Sequence, residues 1–372
     1  MDRKIPKCIF HIPNHIEKNR KSGSSIRPWS MIKAFDSLGY EVDCIMGYGV
    51  ERKEKIREIR EKIEKGVRYD FLYSENCNMP TLLTEKNHIP KYPLLDFSFL
   101  KFCKSKKIPI GLFYRDIYWK FPIYRDEVSK FKQLVTIPLY YYDLHQYKKF
   151  VDVLYLPSMR MKPVMGIDMN YKELPPGCIE PEEGFNGLQF VKSNNLEQRI
   201  LHLFYVGGVG KLYDLEKLFE VVSKLQFVKL TVCCREAEWD EWKIHYKDKL
   251  NERISIIHKS GVELLPYYET ADISMLFFDN QGYRSFAMPI KLFEYLSYGT
   301  PVIATNNTSA GDFVEQNDVG WSIDYNTEEL TKLLESISFD SNVLKDKQQK
   351  IQSALKKNTW RARAQQVVDE LL

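Results

Sequence analysis

The sequence predicts an α/β protein with two similar-sized, doubly wound domains that face each other across a cleft. Short apolar strands alternate with amphipathic helices, a pattern typical of a parallel sheet covered by helices on both faces. The alternation stops once, between Leu174 and Arg199, where prolines, glycines and acidic residues show no period. A length of 372 residues suits two domains better than one. We therefore predict Rossmann-like domains over 1–175 and 176–350.

The first domain opens with a strand–helix–strand unit. Residues 7–13 form an apolar strand, residues 28–39 repeat apolar side chains at helical spacing, and residues 40–46 form the next strand. A charged helix follows over 51–65, and its Glu–Lys and Glu–Arg pairs indicate a solvated face, so we expect no nucleic-acid partner. Further strands are predicted over 69–75, 108–114 and 151–158.

The second domain repeats this rhythm after the break. Its predicted strands cover 200–207, 228–234, 254–261, 272–278 and 301–305. Its predicted helices cover 214–225, 327–337 and 358–372. The order of these segments again favours a parallel sheet with helical crossovers.

Composition restricts the class and the compartment. Hydrophobic residues at 44% and charged residues at 28% describe a soluble globular protein. The seven cysteines are odd in number and form no C-x-x-C pair, which argues against a disulfide framework and against a thiolate metal site. The first residues lack the apolar core of a signal peptide, and no apolar run reaches 18 residues. We expect a cytoplasmic protein.

Charge is distributed unevenly between the two halves. Residues 1–175 carry 32 Lys and Arg against 21 Asp and Glu, a balance of +11, whereas the remainder carries 22 against 29, a balance of −7. This imbalance is either ordinary solvated surface charge or a first domain that faces something anionic. The second interpretation predicts peripheral binding to an anionic membrane surface on its cytoplasmic, inner face.

The stretch MPIKLFEYLSYGTPVIAT, residues 288–305, places a lysine and a glutamate in an otherwise apolar helix. Pro289 suits the first helical turn, whose free N–H groups and positive dipole end favour a diphosphate. Lys291 adds positive charge there, and Glu294 lies on the same face, where its carboxylate can accept hydrogen bonds from a ribose diol. The alternative is a surface Lys–Glu pair with water at the helix start.

This pattern, P-x-K-x-x-E-Y-x-x-x-G-x-P-V-I-A-T, resembles the donor-site signature of GT-B glycosyltransferases, in particular of glycosyltransferase family 4. The resemblance extends along the C-terminal half. LFYVGGVGKLYDLEKLFEVV is similar to the glycine loop that opens the nucleotide domain, and HKSGVELLPYYETADISMLFF is similar to the segment that lines the base. In the N-terminal half only Gly23-Ser24-Ser25 and LGYEV match in outline.

The resemblance implies a GT-B fold and assigns roles to matching positions. Glu294 would bind the ribose of a nucleotide-sugar, Lys291 and the helix start at Pro289 would face the diphosphate, and Val262 would lie beside the base. Ser24 would belong to the acceptor site of the first domain. The terminal segment 351–372, which includes the helical pattern over 358–372, would form the helix that crosses back to that domain.

Two positions depart from the family pattern. Many members carry two glutamates eight positions apart, the first contacting the transferred sugar, and here Phe286 stands at the first position. The usual Arg and Lys pair after the glycine loop is reduced to Lys211, with Arg235 after the next strand as a second basic candidate. The identity of the sugar and its contacts are therefore left open.

Two other classes of site fit less well. Tyr213 stands where a dinucleotide-binding fingerprint needs its third glycine, although the N–H groups from Gly208 to Gly210 can still approach a phosphate. No H-E-x-x-H and no Asp-x-Asp occurs in the sequence, so we expect no catalytic metal.

The run LFYRDIYW, residues 112–119, ends a strand in Arg115 and Asp116. The two side chains either form a structural ion pair or belong to the reaction centre, because the matching loop of related transferases faces the sugar. Tyr118 and Trp119 would then stack on a sugar face. The aromatic segment 137–147 forms either core or acceptor groove.

The resemblance implies a retaining glycosyltransferase, and we predict that it moves a sugar from a UDP- or GDP-linked donor to a hydroxyl of a glycan, a lipid-linked or another acceptor, without a cofactor. Lys291, Arg115 and Asp116 would be catalytic, Lys291 by offsetting the charge of the leaving group. Two alternatives remain at this point: a GT-B sugar-nucleotide epimerase, and a nucleotide-sugar-binding subunit without catalysis, which Phe286 favours.

Overall fold

The computed structural model describes residues 5–17, 23–179, 200–280, 282–340 and 342–372, with only the backbone at 23 and 24. The chain divides into two compact units. Unit 1 comprises Met1–Pro176 and Trp360–Leu372, and unit 2 comprises Gly177–Thr359. Residues 351–357, which the sequence placed in the returning helix, belong to unit 2.

Unit 1 contains a six-stranded sheet in the order β2-β1-β3-β4-β5-β6, in which every pair is parallel. Its strands are β1 (Lys7–His11), β2 (Glu41–Ile45), β3 (Phe71–Glu75), β4 (Ile110–Phe113), β5 (Val153–Leu156) and β6 (Tyr171–Glu173). Its helices are α1 (Gly23–Ser37), α2 (Gly49–Glu64), α3 (Leu95–Ser105), α4 (Pro122–Glu127), α5 (Lys130–Phe150) and α6 (Lys162–Met165). The strands β3, β4 and β5 are buried along their whole length, as expected for a sheet covered on both faces.

Unit 2 contains a second parallel sheet in the order β12-β11-β10-β7-β8-β9. Its strands are β7 (Leu201–Val206), β8 (Val228–Cys233), β9 (Ile254–Ile257), β10 (Ile273–Leu276), β11 (Val302–Thr305) and β12 (Gly320–Ile323). Its helices are α7 (Glu216–Lys224), α8 (Glu236–Tyr246), α9 (Leu265–Thr270), α10 (Ile290–Ser297), α11 (Ser309–Asn317), α12 (Thr327–Phe339) and α13 (Asn342–Lys357). The predicted α/β class with two doubly wound sheets is confirmed.

The last helix, α14 (Trp360–Leu371), belongs to unit 1. Arg363 Nε donates to the Pro176 carbonyl at 3.2 Å, and Gln366 Nε2 donates to the Glu173 carbonyl at 2.8 Å. Its apolar face joins the core of unit 1 through Trp360, Ala364, Val367 and Leu371. Burial of this face anchors the end of the chain to the first sheet.

Several elements differ from the sequence prediction. Helix α1 begins at Gly23, five residues before the predicted start, and contains Pro28 in its interior. The aromatic segment 137–147 lies within α5, where Tyr140, Leu144 and Tyr147 are buried. The short strands β6 and β12 were not predicted, because YKE and GWSI lack the apolar run that marks the other short strands.

All seven cysteines are free in the structure. Within the described ranges, no helix has both the length and the apolarity needed to cross a membrane.

Candidate functional site

Both sheets reverse their winding direction at a defined point, and open α/β sheets bind ligands at the carboxyl edge of that point. In unit 2 the reversal lies between β7 and β10, which are hydrogen-bonded neighbours. The glycine-rich loop 207–213 follows β7, and the segment leading to α10 follows β10. The sequence motifs singled out above therefore meet at one edge of the sheet.

Helix α10 is short and firmly placed. Pro289 is its N-cap rather than its first helical residue, and no described side chain caps the helix start. At the other end Gly299 adopts φ of +71°, the N–H of Thr300 bonds the Tyr295 carbonyl at 3.1 Å, and the N–H of Gly299 bonds the Leu296 carbonyl at 2.9 Å. This left-handed glycine ends the helix as predicted.

The buried face of α10 ties it to β7. Tyr295 is fully buried, and its hydroxyl accepts the N–H of Val206 at 2.8 Å at the carboxyl end of β7. Leu292, Phe293 and Leu296 join the apolar core on this side of the sheet. The helix start is therefore fixed beside the end of β7, while Lys291 and Glu294 lie on the remaining face.

Lys291 and Glu294 form an ion pair through Nζ and Oε2. The Tyr268 hydroxyl donates to the same Oε2 at 3.2 Å. Burial and the Glu294 charge raise the pKa of Tyr268 far above its ordinary value, so the phenol remains a donor. Tyr268 also stacks on Tyr298 at 4.2 Å between ring centroids. Glu294 is 17% exposed, so this is a half-buried, oriented carboxylate rather than a mobile surface pair.

Side chains of β7 and α8 hold the glycine loop that follows β7. The Tyr205 hydroxyl donates to the Gly208 carbonyl at 2.6 Å, and the N–H of Val209 bonds Glu238 Oε2 at 3.3 Å. Gly210 adopts φ of +148°, and a Cβ there would meet Trp242 Nε1 at 3.2 Å, so a side chain would be strained. Lys211 is exposed in this loop.

Arg284 is a residue that the sequence did not single out. Its Nη2 bonds Asp279 Oδ2 at 2.6 Å, and its Nη1 donates to the carbonyls of Leu212 at 2.9 Å and Lys211 at 3.4 Å. Arg284 thus ties the segment after β10 to the glycine loop after β7. No local pattern reveals this role, because the partners are about 70 residues away in sequence.

The remaining candidates of unit 2 are placed differently. Arg235 is 78% exposed and pairs with Glu238, the residue that also binds the glycine loop. Val262 is 77% exposed in a 3₁₀-helix after β9. Phe286, at the position of the family's first glutamate, is 3% exposed and contacts the Tyr283 ring edge-on, with 5.3 Å between centroids. A buried phenyl ring at 286 cannot replace the hydrogen bonds of a glutamate to a sugar.

Unit 1 reverses between β1 and β3, and a cavity of about 320 Å³ lies at this edge. The cavity is lined by residues that follow β1 (12 and 14–17), β2 (48), β3 (76–79 and 84–86) and β4 (115), with Ser25 of α1. The amides of Asn14, Asn76 and Asn78 and the imidazoles of His15 and His88 place hydrogen-bonding groups in the wall beside charged side chains, and His15 stacks on Tyr48. Such a wall suits a hydroxyl-rich ligand.

Arg115 reaches this cavity wall from a buried charge cluster. Glu75, with no exposed surface, accepts from Arg115 Nη2 at 3.1 Å and from the Tyr73 hydroxyl at 3.1 Å, and it pairs with Arg27 Nε at 3.4 Å. The Arg115 N–H also donates to Asn76 Oδ1 at 2.7 Å. The carboxylate that holds Arg115 is therefore Glu75, and not the adjacent Asp116 of the ion pair considered from the sequence.

The other first-domain candidates need correction or lie outside the described residues. Asp116 Oδ1 accepts the N–H of Tyr118 at 2.9 Å and so shapes its own loop. Trp119 is 2% exposed and stacks on Tyr140 at 4.8 Å, so its covered ring cannot stack on a sugar, contrary to our expectation. Tyr118 is half-buried against Tyr124, and burial raises its pKa to about 12. Ser24 lies in the first turn of α1, and its side chain is outside the described residues.

His11 and His15 are spaced as H-x-x-x-H, which on a helix would place both rings on one face. Neither residue lies on a helix here. His11 ends β1, where its ring contacts Ser74 Oγ at 2.8 Å and Asp96 Oδ1 at 3.0 Å. Arg52 Nε also donates to Asp96 at 3.0 Å. In the part of the chain that the structure describes, no group of three His, Cys, Asp or Glu side chains is placed to hold a metal.

Comparison with known proteins gives a partial family match and a complete fold match. Residues 269–367 match the family model "Glucosyltransferase 3-like, C-terminal domain", which includes α10. No curated protein matches the sequence.

Solved structures are similar over nearly the whole chain. HepE of Anabaena in complex with UDP-glucose has a TM-score of 0.60 at 10% identity, covering 98% of this chain and 99% of HepE. A glycosyltransferase from Rickettsia africae has a TM-score of 0.58 at 13% identity, with 98% of each chain covered. Trehalose-6-phosphate synthase OtsA has a TM-score of 0.59 at 10% identity, also with 98% of each covered. With its two parallel six-stranded sheets, this chain therefore has the GT-B fold.

Proposed function

We propose that this protein is a glycosyltransferase that binds a nucleotide-diphosphate sugar in unit 2 and transfers the sugar, with retention, to a hydroxyl acceptor held by unit 1. The observation that carries the proposal is the oriented Glu294 carboxylate beside the start of α10, which no described side chain caps, at the switch point of the second sheet. The complex of the structurally similar HepE with UDP-glucose supports a UDP-linked donor, with a GDP-linked donor as the second choice.

The donor site follows from the chemistry of its parts. The contacts of Glu294 with Lys291 and Tyr268 both use Oε2, which leaves Oε1 to accept hydrogen bonds from a ribose diol. The first N–H groups of α10 and the charge of Lys291 favour the diphosphate. Gly208, Gly210 and Lys211 extend this phosphate site, with Arg235 as a second basic candidate, while Val262 is assigned to the base.

The reaction places negative charge on the departing nucleoside diphosphate. Lys291 and the helix-start N–H groups stabilise that charge at the moment it develops, which is a common and large contribution to catalysis. Lys211 adds a second cation. We infer no metal and no cofactor for this step, since lysine and backbone dipoles can supply the positive charge.

The acceptor site is the polar cavity of unit 1. Arg115, held by Glu75, presents a cation at its wall, and the Asn and His side chains can bond sugar hydroxyls. Asp116 orders the loop that follows Arg115. The charge balance of +11 in residues 1–175 supports a lipid-linked or otherwise anionic acceptor, and with it a cytoplasmic location on an anionic membrane surface. Polysaccharide or glycoconjugate synthesis is the matching role.

The proposal is tested first by donor binding. A thermal-shift screen against UDP, GDP, dTDP and their hexose conjugates should give a rise in melting temperature with one nucleotide series. Titration calorimetry with that donor should then show at least a tenfold loss of affinity for Glu294→Gln and no detectable binding for Glu294→Ala. Glu315→Ala, an exposed glutamate on α11, is the matched control and should bind as the wild type does.

Turnover measurements distinguish the proposed glycosyltransferase from an epimerase and from a binding subunit. Conversion of the donor alone, without any acceptor, would indicate an epimerase. Tight donor binding with no release of nucleoside diphosphate in the presence of glycan and lipid-linked acceptors would indicate a binding subunit, which the buried Phe286 favours. If Glu294→Ala bound the nucleotide with wild-type affinity, the assignment of the donor site would be wrong.

A further inference from the structure

Helix α5 carries an exposed apolar stripe on the face opposite to its packing face. With successive residues about 100° apart, Phe131, Leu134 and Val135 fall within one arc of about 100°. They are 78%, 75% and 45% exposed. The buried residues of the same helix, Tyr140, Asp143, Leu144 and Tyr147, occupy the opposite arc. We call the surface formed by Phe131, Leu134 and Val135 the α5 stripe.

The α5 stripe lies on the same edge of unit 1 as the polar cavity. Strands β4 and β5 are parallel, and α5 ends at Phe150, just before β5, so the helix runs from the carboxyl edge to the amino edge of the sheet. Tyr140 lies near the middle of α5, and its hydroxyl donates to the Asn78 carbonyl, in the cavity wall, at 2.6 Å. The ten residues before Tyr140, about 15 Å of helix, therefore extend outward from the cavity edge.

Charge identifies the partner that this surface fits. All 21 residues of α5 are described, and every exposed charged side chain among them is a lysine, namely Lys130, Lys132, Lys148 and Lys149. Asp143, the one acid of the helix, is buried. The exposed acids next along the chain, Asp126 and Glu127, lie on α4. Lysines on both sides of Phe131 would oppose a basic partner and favour a negatively charged one.

We propose that the α5 stripe inserts into the interface of an anionic lipid membrane, with Lys130 and Lys132 among the headgroups. An exposed apolar helix face flanked by cations is the pattern of a helix that lies in the interfacial plane and buries its apolar residues about 5–10 Å deep. This would bring the mouth of the cavity to the lipid surface. The proposal deepens the peripheral location proposed above by naming the surface, and it does not depend on sugar transfer.

Vesicle co-sedimentation tests the proposal. The vesicles contain phosphatidylcholine alone or with 30% phosphatidylglycerol, at low and at physiological salt. The variant Phe131→Ser/Leu134→Ser/Val135→Ser should partition onto the anionic vesicles at least tenfold more weakly than the wild type. The matched control Ile244→Ser/Phe339→Ser removes two exposed apolar side chains from unit 2 and should partition as the wild type does. Lys130→Gln/Lys132→Gln should weaken binding severalfold.

The proposal is overturned by wild-type partition of the triple serine variant, by absence of binding of the wild type, or by a triple serine variant that differs from the wild type only in its oligomeric state in size-exclusion chromatography. The last would make the stripe a subunit interface. Loss of binding in a Lys101→Gln/Lys104→Gln variant but not in the stripe variant would retain the peripheral location and reject the stripe. The donor-induced thermal shift, measured on every variant, reports folding and the donor site separately from lipid binding.

Discussion

In the proposed reaction, Lys291 stabilises the negative charge that develops on the departing nucleoside diphosphate. Lys291→Ala should lower the turnover number by at least a hundredfold, because one stabilising charge on the leaving group is lost. Release of nucleoside diphosphate at saturating donor measures it. Lys291→Arg keeps the charge and should recover part of the rate. An unchanged turnover number in Lys291→Ala would contradict the role assigned to this lysine.

Asp143 gives a prediction about pH at the same scale. Burial raises its pKa to about 7, although its Oδ2 accepts the Thr81 N–H at 2.7 Å. A carboxyl that holds its proton more tightly when folded stabilises the fold at low pH, and this contribution is lost as pH rises from about 4 to 7.

The expected size is about 1.4 kcal/mol for each pH unit of that window. Asp143→Asn should remove this slope from the free energy of unfolding, measured with urea at pH 5 and pH 8. The control Asp126→Asn, exposed on α4, should keep the wild-type slope. Equal slopes in wild type and Asp143→Asn would show that Asp143 is ionised throughout.

Among the elements, the glycine loop after β7 depends on a contact from the segment after β10. Arg284→Ala removes the donors that hold the carbonyls of Lys211 and Leu212. The loop must then be ordered by the donor itself, at a cost of about 1–2 kcal/mol for each backbone residue fixed, so donor affinity should fall by about tenfold or more.

Calorimetry with the identified donor measures the loss in Arg284→Ala. Arg253 offers a matched control, because its guanidinium also donates to a backbone carbonyl, that of Ser223, at 2.7 Å. Arg253→Ala should leave donor affinity unchanged, since Arg253 precedes β9 at the amino edge of the sheet. Equal affinity in both variants would mean that the loop keeps its conformation without Arg284.

For the whole molecule, the proposed chemistry predicts that transfer survives chelation. Lysine side chains and helix-start N–H groups supply the positive charge that a divalent ion supplies in enzymes that transfer phosphoryl groups. Transfer rates before and after EDTA treatment should agree within about twofold, well below the hundredfold expected for loss of one charge stabiliser. Loss of activity in EDTA, with recovery on adding one divalent ion, would reject this account of the leaving group.

Local sequence patterns were enough to establish the class of the fold and the position of the donor motif. Alternating apolar strands and helical patterns depend on neighbouring residues, so most strands of both sheets were placed to within two or three residues. The helix over 290–297 and its glycine stop at Gly299 are equally local features. The motif that carries Lys291 and Glu294 is therefore recognisable in the amino-acid sequence, and its resemblance to GT-B proteins indicated the fold.

Which side chains meet depends on the tertiary structure. Arg115 stands next to Asp116 in sequence, yet its carboxylate partner is Glu75, because β3 and β4 are neighbours in the sheet. Trp119 is covered by Tyr140 of α5, and Arg284 reaches back to the loop after β7. These contacts depend on strand order and helix placement, which couple residues tens of positions apart, and no short pattern in the chain encodes them.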